Sequence, residues 1–100
     1  MEIINISLPM TEIKNFCQQN HIRRLSLFGS VLRDDFKDES DVDVLVEFEA
    51  GKTPGLGIIS LEDRLSFLLG RIVDLRTVGD LSRYFRDEVL QEMKVVYEQN

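Results

Sequence analysis

One segment, residues 42–48, constrains the fold more than any other because it predicts a strand at the centre of a sheet. Its sequence, VDVLVEF, is rich in β-branched residues, which favour an extended backbone. Shorter apolar runs at residues 25–28 and 73–76 predict two further strands, and helix-type patterns alternate with these runs. We therefore expect an α/β (α+β) fold, a small mixed β-sheet of about three strands flanked by helices.

Three helical segments are predicted around these strands. The first begins at residues 7–12, where a serine, a proline and an early glutamate form a helix-start pattern. The second covers residues 60–69 and ends at Gly70, a residue suited to the left-handed turn after a helix. The third covers residues 80–96, with a break near residues 83–86 left open. The side chains expected to form the hydrophobic core are Ile13, Phe16, Leu25, Leu27, Val44, Val46, Leu65, Leu68, Leu75, Val89 and Met93.

The composition indicates a globular protein. The chain has 100 residues, of which 43% are apolar and 30% charged, so residues 1–100 are expected to form a single domain. The one cysteine, Cys17, excludes an internal disulfide, and its place on a helical apolar face indicates a core residue. No signal-peptide pattern and no membrane-spanning apolar run is visible, so a cytoplasmic location without membrane association is expected.

The net charge of −6 disfavours general nucleic-acid binding, because an acidic surface repels a phosphate backbone. Much of the charge is concentrated in residues 34–43, DDFKDESDVD, which hold six carboxylates and one lysine. This segment is either a solvated acidic loop or a cation site. An EF-hand is excluded because no glycine stands at the sixth loop position. A zinc site of the Cys/His type is excluded because Cys17 and His21 are the only residues of their kinds.

Three acidic residues in or next to predicted strands are the candidates for catalysis. Asp41 and Asp43 stand at the start of the central strand, where residues i and i+2 share a face and could together hold Mg²⁺, which prefers oxygen ligands. An exposed strand carrying both acids is the structural alternative. Asp74 interrupts an apolar strand, and a carboxylate in such a place is usually paired, metal-ligating or catalytic. An ion pair with Arg71, Arg76 or another nearby arginine is the alternative for Asp74.

A candidate phosphate-binding turn follows the first predicted strand. Gly29 lets the backbone approach a ligand closely, and a helical turn beginning at Ser30 would direct N–H groups and a hydroxyl at an anion. An ordinary turn with a serine cap is the alternative. Arg33 could contact a phosphate or pair with Asp38 or Asp41.

Taken together, the motifs LFGSVLR at residues 27–33, SDVDVLV at 40–46 and GRIVDL at 70–75 resemble the minimal nucleotidyltransferase (MNT) family. This family belongs to the DNA polymerase β-like nucleotidyltransferase superfamily. Its pattern is G-S, about ten residues, D-x-D at the start of an apolar strand and a third acid on a later strand. Ten residues separate Ser30 from Asp41. The resemblance implies the nucleotidyltransferase fold.

The resemblance also implies residue roles. Asp41 and Asp43 would hold one or two Mg²⁺, and Asp74 would be the third carboxylate, which ligates the second metal and helps to deprotonate the acceptor hydroxyl. Gly29 and Ser30 would bind the β- and γ-phosphates of ATP, with Arg33 as a further candidate nucleotide contact. Leu32 and Asp34 depart from the family pattern G-S-x-A-R-G and bear on nucleotide affinity rather than on the metal ligands.

Stand-alone proteins of this size resemble the antitoxin half of HEPN/MNT toxin–antitoxin pairs. That resemblance implies transfer of AMP from ATP to a tyrosine of a HEPN ribonuclease toxin encoded nearby. The acidic composition is consistent with a basic, RNA-binding partner. Two other hypotheses are an antitoxin that acts by contact alone and a nucleotidyltransferase for small molecules such as antibiotics. The presence of all three acids argues against an antitoxin that acts by contact alone. The lack of room for an additional domain argues against a nucleotidyltransferase for small molecules.

Overall fold

The computed structural model describes residues 5–99 of the chain. Residues 1–4, where the sequence shows no signal-peptide pattern, and residue 100 lie outside the described part. The helices and strands, in chain order, are α1 (Met10–Gln19), β1 (Ile22–Phe28), β2 (Val42–Phe48), α2 (Ile58–Leu69), β3 (Val73–Arg76), α3 (Arg86–Glu92) and β4 (Lys94–Glu98). No helix within residues 5–99 is both long enough and apolar enough to span a bilayer.

The strands form one mixed sheet in the order β3-β2-β1-β4. β1 is antiparallel to both β2 and β4, whereas β2 is parallel to β3. The predicted strands at residues 42–48 and 73–76 are confirmed with the same bounds, and β1 extends the predicted strand back to Ile22. The first two predicted helices are also confirmed, and Gly70 ends α2 with a φ of 66°. The expected α/β fold with a mixed sheet and flanking helices is therefore the observed one.

The prediction for the end of the chain is wrong, because residues 80–96 do not form one helix. Val78–Asp80 form a 3₁₀ turn, only α3 is α-helical, and β4 is a fourth strand. The sequence of β4, KVVYE, contains two adjacent valines and a tyrosine, which favour an extended backbone. β4 also pairs with the edge of β1 that β2 does not use. Strand pairing thus outweighs the helical spacing of the apolar residues.

The sheet buries apolar side chains on both faces. The larger cluster packs between the sheet and the helices α1 and α2, and the smaller cluster lies on the opposite face, where Leu81 and Val89 cover Phe28 and Leu45. All predicted core residues are buried except Leu68 and Met93, which are partly buried against these clusters. Cys17 is fully buried, and burial raises the pKa of its thiol to about 12. This agrees with the expected core position.

Two side chains of α2 hold the edge strand β3 in place. The backbone N–H of Val73 donates to Oγ of Ser66 at 3.0 Å, and that of Leu75 donates to Oε2 of Glu62 at 2.8 Å. A strand at the edge of a sheet otherwise has unpaired N–H groups on its outer side. These bonds connect β3 to α2, so the acidic residue that β3 carries has a fixed position.

A charged pair joins β1 and β2 at the end of the sheet away from the acids. Arg24 donates to Glu47 through Nη2 at 2.8 Å and through Nε, and Arg23 donates to the same carboxylate at 3.1 Å. The Glu47 side chain is only 14% exposed. Hydrogen bonding from Arg24 is the main cause that holds the pKa of Glu47 below its usual range.

We expect Glu47→Gln to lower the free energy of unfolding by about 1–2 kcal/mol at pH 7. Because the pKa of Glu47 is lower in the folded than in the unfolded chain, the stabilisation by its carboxylate is complete above the pKa of the unfolded chain, about 4.3. This stabilisation is lost as the pH falls through the pKa of the folded chain. Urea unfolding at pH 7 and at pH 3 or below measures it. The exposed Glu39→Gln is the control, and an equal Glu47→Gln deficit at both pH values would contradict the assignment.

Candidate active site

The register of the sheet brings two of the three predicted acids together. In the parallel β2–β3 pair Asp43 is opposite Asp74, and in the antiparallel β1–β2 pair Asp43 is opposite Phe28. Because side chains alternate along a strand, Asp43 lies on the face opposite that of Val42 and Val44, which belong to the larger cluster. Both acids are therefore on the α3 side of the sheet.

Asp41 stands at the entry of β2, outside the strand itself. It precedes β2 and is exposed, although its charge still acts on Asp43. Across residues 5–99, no group of three or more His, Cys, Asp or Glu side chains is arranged to hold a metal ion. The structure thus assembles the pair Asp43 and Asp74 and leaves Asp41 outside it, within electrostatic range.

The ion-pair alternative for Asp74 is observed with Arg76 and not with Arg71. Nε and Nη2 of Arg76 donate to the two oxygens of Asp74 at 3.2 and 3.1 Å. These hydrogen bonds are the main cause that raises the pKa of Arg76. Arg71 instead binds the acidic loop, with Nη2 at 3.7 Å from Oδ1 of Asp38 and the guanidinium 5.0 Å from the ring centre of Phe36.

The electrostatics of the pair favour a cation. Burial is the largest cause that raises the pKa of Asp43, and the carboxylate of Asp74 is the next, while the charge of Arg76 opposes both. Two carboxylates in register repel each other unless a positive charge lies between them or next to them. Carboxylate oxygens are the ligands that Mg²⁺ prefers, so the donor set fits a divalent ion bound by Asp43 and Asp74.

Gly29 lies directly against Asp43. Its φ is 77°, in the left-handed region, and a Cβ atom at this position would overlap Oδ2 of Asp43. The residue must therefore be glycine for two reasons, its backbone conformation and the close approach of the carboxylate. The turn that begins here, Gly29–Leu32, is a 3₁₀ turn. The side chain of Asn5 holds the end of this turn by donating to the carbonyl oxygens of Val31 and Arg33, each at 2.7 Å.

The side chains of Ser30 and Arg33, the other two predicted nucleotide contacts, have no competing partners within residues 5–99. The Ser30 side chain is partly buried and makes no hydrogen bond within residues 5–99. Arg33 is exposed and forms none of the ion pairs in the same range, so its predicted alternatives with Asp38 and Asp41 are not observed. Its charge lowers the pKa of Asp43. The structure leaves both polar groups available to a ligand.

Two neighbouring cavities open on the α3 side of the sheet, and both are bounded by Phe28 and Phe85. The acid cavity, of about 210 Å³, is lined by Phe28, Asp43, Asp74, Arg76, Leu81 and Phe85. The turn cavity, of about 240 Å³, is lined by Phe28, Gly29, Arg33, Phe85, Glu88, Val89 and Glu92. A larger groove of about 480 Å³ lies between α1 and α2, on the opposite side of the sheet, and contains none of the predicted site residues.

A comparison with known families identifies the family of this chain. The family described as polymerase beta, nucleotidyltransferase matches residues 11–100. The chain belongs to this nucleotidyltransferase family. The family resemblance inferred from the motifs is thereby confirmed, and the chain is a nucleotidyltransferase by family.

Two relatives of this nucleotidyltransferase show how far the similarity extends. The protein adenylyltransferase MntA of Thermococcus cleftensis is 43% identical over 77 residues, which is 76% of this chain and 74% of the relative. A protein of Methanocaldococcus jannaschii, provisionally named a protein adenylyltransferase, is 34% identical over 89 residues, 89% of this chain and 95% of the relative. Each relative is thus matched over most of its own length.

Solved structures show the same fold. A crystal structure of a toxin–antitoxin with AMP-PNP superposes with a TM-score of 0.74 at 22% identity, over 93% of this chain and 76% of that chain. A structure of tri-AMPylated Shewanella oneidensis HEPN toxin in complex with MNT antitoxin superposes with a TM-score of 0.65 at 22% identity, over 90% and 70%. These likenesses establish the shared fold.

Sequence reasoning missed several residues that line the two cavities of this nucleotidyltransferase. The sequence indicates Arg76 only as a possible ion-pair partner of Asp74, although its position two residues along the same strand places both side chains on one face. Phe85 had no signal in the sequence beyond being aromatic. Glu88 and Glu92 are one helical turn apart on α3, but their cavity exists only because α3 packs beside the Gly29–Leu32 turn.

Proposed function

We propose that this chain is a protein adenylyltransferase that transfers AMP from ATP to a hydroxyl group of a partner protein. The single observation that carries the proposal is the pairing of Asp43 with Asp74 directly beside the Gly29 turn. The names of the relatives and the AMPylated HEPN toxin in a structural neighbour support it. We further propose that the acceptor is a tyrosine of a HEPN ribonuclease toxin encoded nearby and that the chain acts as the antitoxin of this toxin. We also propose a cytoplasmic location and a single domain formed by residues 1–100.

In this proposal Asp41, Asp43 and Asp74 hold one or two Mg²⁺. The ion supplies charge neutralisation at the α-phosphate and at the departing pyrophosphate. Mg²⁺ keeps several waters and needs only one or two carboxylates with the substrate phosphates, so the preassembled pair and an exposed Asp41 are compatible with it. Arg76 orients the Asp74 carboxylate through its two hydrogen bonds.

The chain's other residues position the substrates. Gly29 lets the phosphates approach the backbone. The hydroxyl of Ser30 and the guanidinium of Arg33, which have no side-chain partners within residues 5–99, are donors for them. The acceptor oxygen attacks the α-phosphorus, the bond from that phosphorus to the bridging oxygen breaks, and pyrophosphate leaves with the bonding electron pair. The proton of the acceptor hydroxyl passes to Asp74 or through it to water.

The test combines α-labelled ATP, Mg²⁺, the purified chain and the HEPN protein encoded beside it. We expect label on the HEPN protein with the wild-type chain and none with Asp41→Asn or Asp43→Asn. Peptide mapping of the labelled protein identifies the modified residue, and replacement of that tyrosine by phenylalanine should remove the label. Unchanged transfer by both variants would contradict the assignment of the site.

A second candidate function is neutralisation of the partner by contact alone. The observation that favours it is the engagement of Asp74 by Arg76, which occupies one of the proposed metal ligands. In that case no label would transfer, while the wild-type chain and both asparagine variants would bind the partner equally tightly.

A further inference from the structure

The turn cavity, between the Gly29–Leu32 turn and α3, has a lining that fits a positively charged group. We infer that it binds an arginine or lysine side chain that the acceptor protein presents beside the hydroxyl to be modified. This inference rests on the proposed function, since it concerns how the acceptor is recognised. The cavity adjoins the acid cavity, with which it shares Phe28 and Phe85 as walls.

The first argument is charge. Glu88 and Glu92 are four positions apart on α3 and therefore lie on the same face of the helix. Both are exposed, and neither side chain forms an ion pair or hydrogen bond in the described part of the chain. No ion pair within that part of the molecule neutralises either carboxylate. Arg33 is the cation among the lining residues, and it belongs to the wall formed by the turn.

The second argument is the aromatic wall. The rings of Phe28 and Phe85 both line the cavity, and Phe85 is 44% exposed whereas Phe28 is 8% exposed. The faces of aromatic rings attract cations, most strongly where water is partly excluded. Carboxylates at the rim then accept charge-assisted hydrogen bonds from the same group. Two rings with two carboxylates therefore favour a guanidinium or an ammonium group.

The third argument is the volume of the turn cavity and its position beside the proposed phosphate contacts. The turn cavity, at about 240 Å³, is smaller than the usual range of about 300–1,000 Å³ for whole small-molecule ligands. It suits one long side chain, and its two carboxylates belong to α3, whereas the proposed phosphate contacts Gly29 and Arg33 belong to the wall formed by the turn. With phosphates of ATP beside Gly29 and Arg33, the charge of Arg33 would be offset, so that the cavity would bind a cation more tightly when nucleotide is present.

The experiment uses two fluorescent peptides that differ only in the charge of the two residues flanking a tyrosine. One carries a tyrosine between two arginines, and the other has the neutral isostere citrulline in place of both arginines. Binding to the full chain is followed by fluorescence anisotropy, with and without a non-hydrolysable ATP analogue and Mg²⁺. Transfer from α-labelled ATP to each peptide is measured in parallel, to obtain the KM for peptide and for ATP.

We expect the arginine peptide to bind about tenfold more tightly than the citrulline peptide, and this preference to be lost in the double variant Glu88→Gln/Glu92→Gln. Asp87→Asn is the matched control, since Asp87 is an exposed acid of α3 that lines neither cavity. Glu92→Gln alone gives a second test if the double variant fails to fold, because a carboxylate at the C-terminal end of a helix does not stabilise it.

The outcomes separate this inference from the proposed function. Equal binding of both peptides by the wild-type chain, or an arginine preference that survives in the double variant, would overturn the inference even if the HEPN protein is labelled. A double variant that raises the KM for ATP and leaves peptide binding unchanged would assign the cavity to the nucleotide instead. A preserved arginine preference in wild type without any transfer would support the inference as a binding site and count against the proposed activity.

Discussion

Asp43→Asn is expected to reduce AMP transfer by on the order of a thousandfold while the protein stays folded. Asp43 pairs in register with Asp74 and lies against Gly29, so it is the acid that both halves of the proposed site share. Asparagine has nearly the same shape but lacks the charge that a divalent ion requires. Initial rates with saturating α-labelled ATP and the HEPN acceptor measure the loss.

The same variant should be at least as stable as the wild type in the absence of metal. Burial and the charge of Asp74 raise the pKa of Asp43, which means that ionisation of this carboxyl is less favourable in the folded than in the unfolded chain. Removal of that charge relieves the repulsion. Asp35→Asn, the same change at an exposed residue of the acidic loop, is the control and should alter neither transfer nor stability by much. A large fall in the melting temperature of Asp43→Asn would mean that the acid has a structural role.

Gly29→Ala is expected to have the largest effect on stability, a loss of about 2–4 kcal/mol in the free energy of unfolding. Part of this loss comes from the left-handed φ of 77°, and the rest comes from overlap of the new Cβ with the carboxylate of Asp43. Displacement of that carboxylate should also reduce AMP transfer. Urea unfolding at pH 7 measures the stability, and the transfer assay is run on the variant under conditions where it is folded.

Gly51→Ala provides a matched control, because Gly51 has a φ of 75° and nothing within 4 Å of an added Cβ. It should cost about 1 kcal/mol, the price of the left-handed conformation alone. The overlap is isolated by combining Gly29→Ala with Asp43→Ala. The double variant should regain part of the lost stability, so that the two changes are not additive. Equal losses for Gly29→Ala and Gly51→Ala would show that contact with Asp43 does not restrict residue 29.

Much of this protein is readable from local sequence. The β-branched run of β2 and the short apolar run of β3 predicted both strands, because a strand buried on one or both faces needs such residues. Gly70 marked the end of α2, since few other residues adopt its backbone conformation at low cost. The same local motifs, G-S followed by D-x-D and a third acid, were sufficient to predict the nucleotidyltransferase family.

The tertiary structure alone decided which of these residues meet. The pairing of Asp43 with Asp74 depends on the register between β2 and β3, and the bidentate contact of Arg76 depends on where Asp74 then points. The fourth strand likewise exists because β1 offers a free edge, a condition that no local window contains. Local patterns determine whether a segment can be a helix or a strand. Contacts between distant segments determine the site, because their free energy depends on the packing of the whole sheet and not on any one segment.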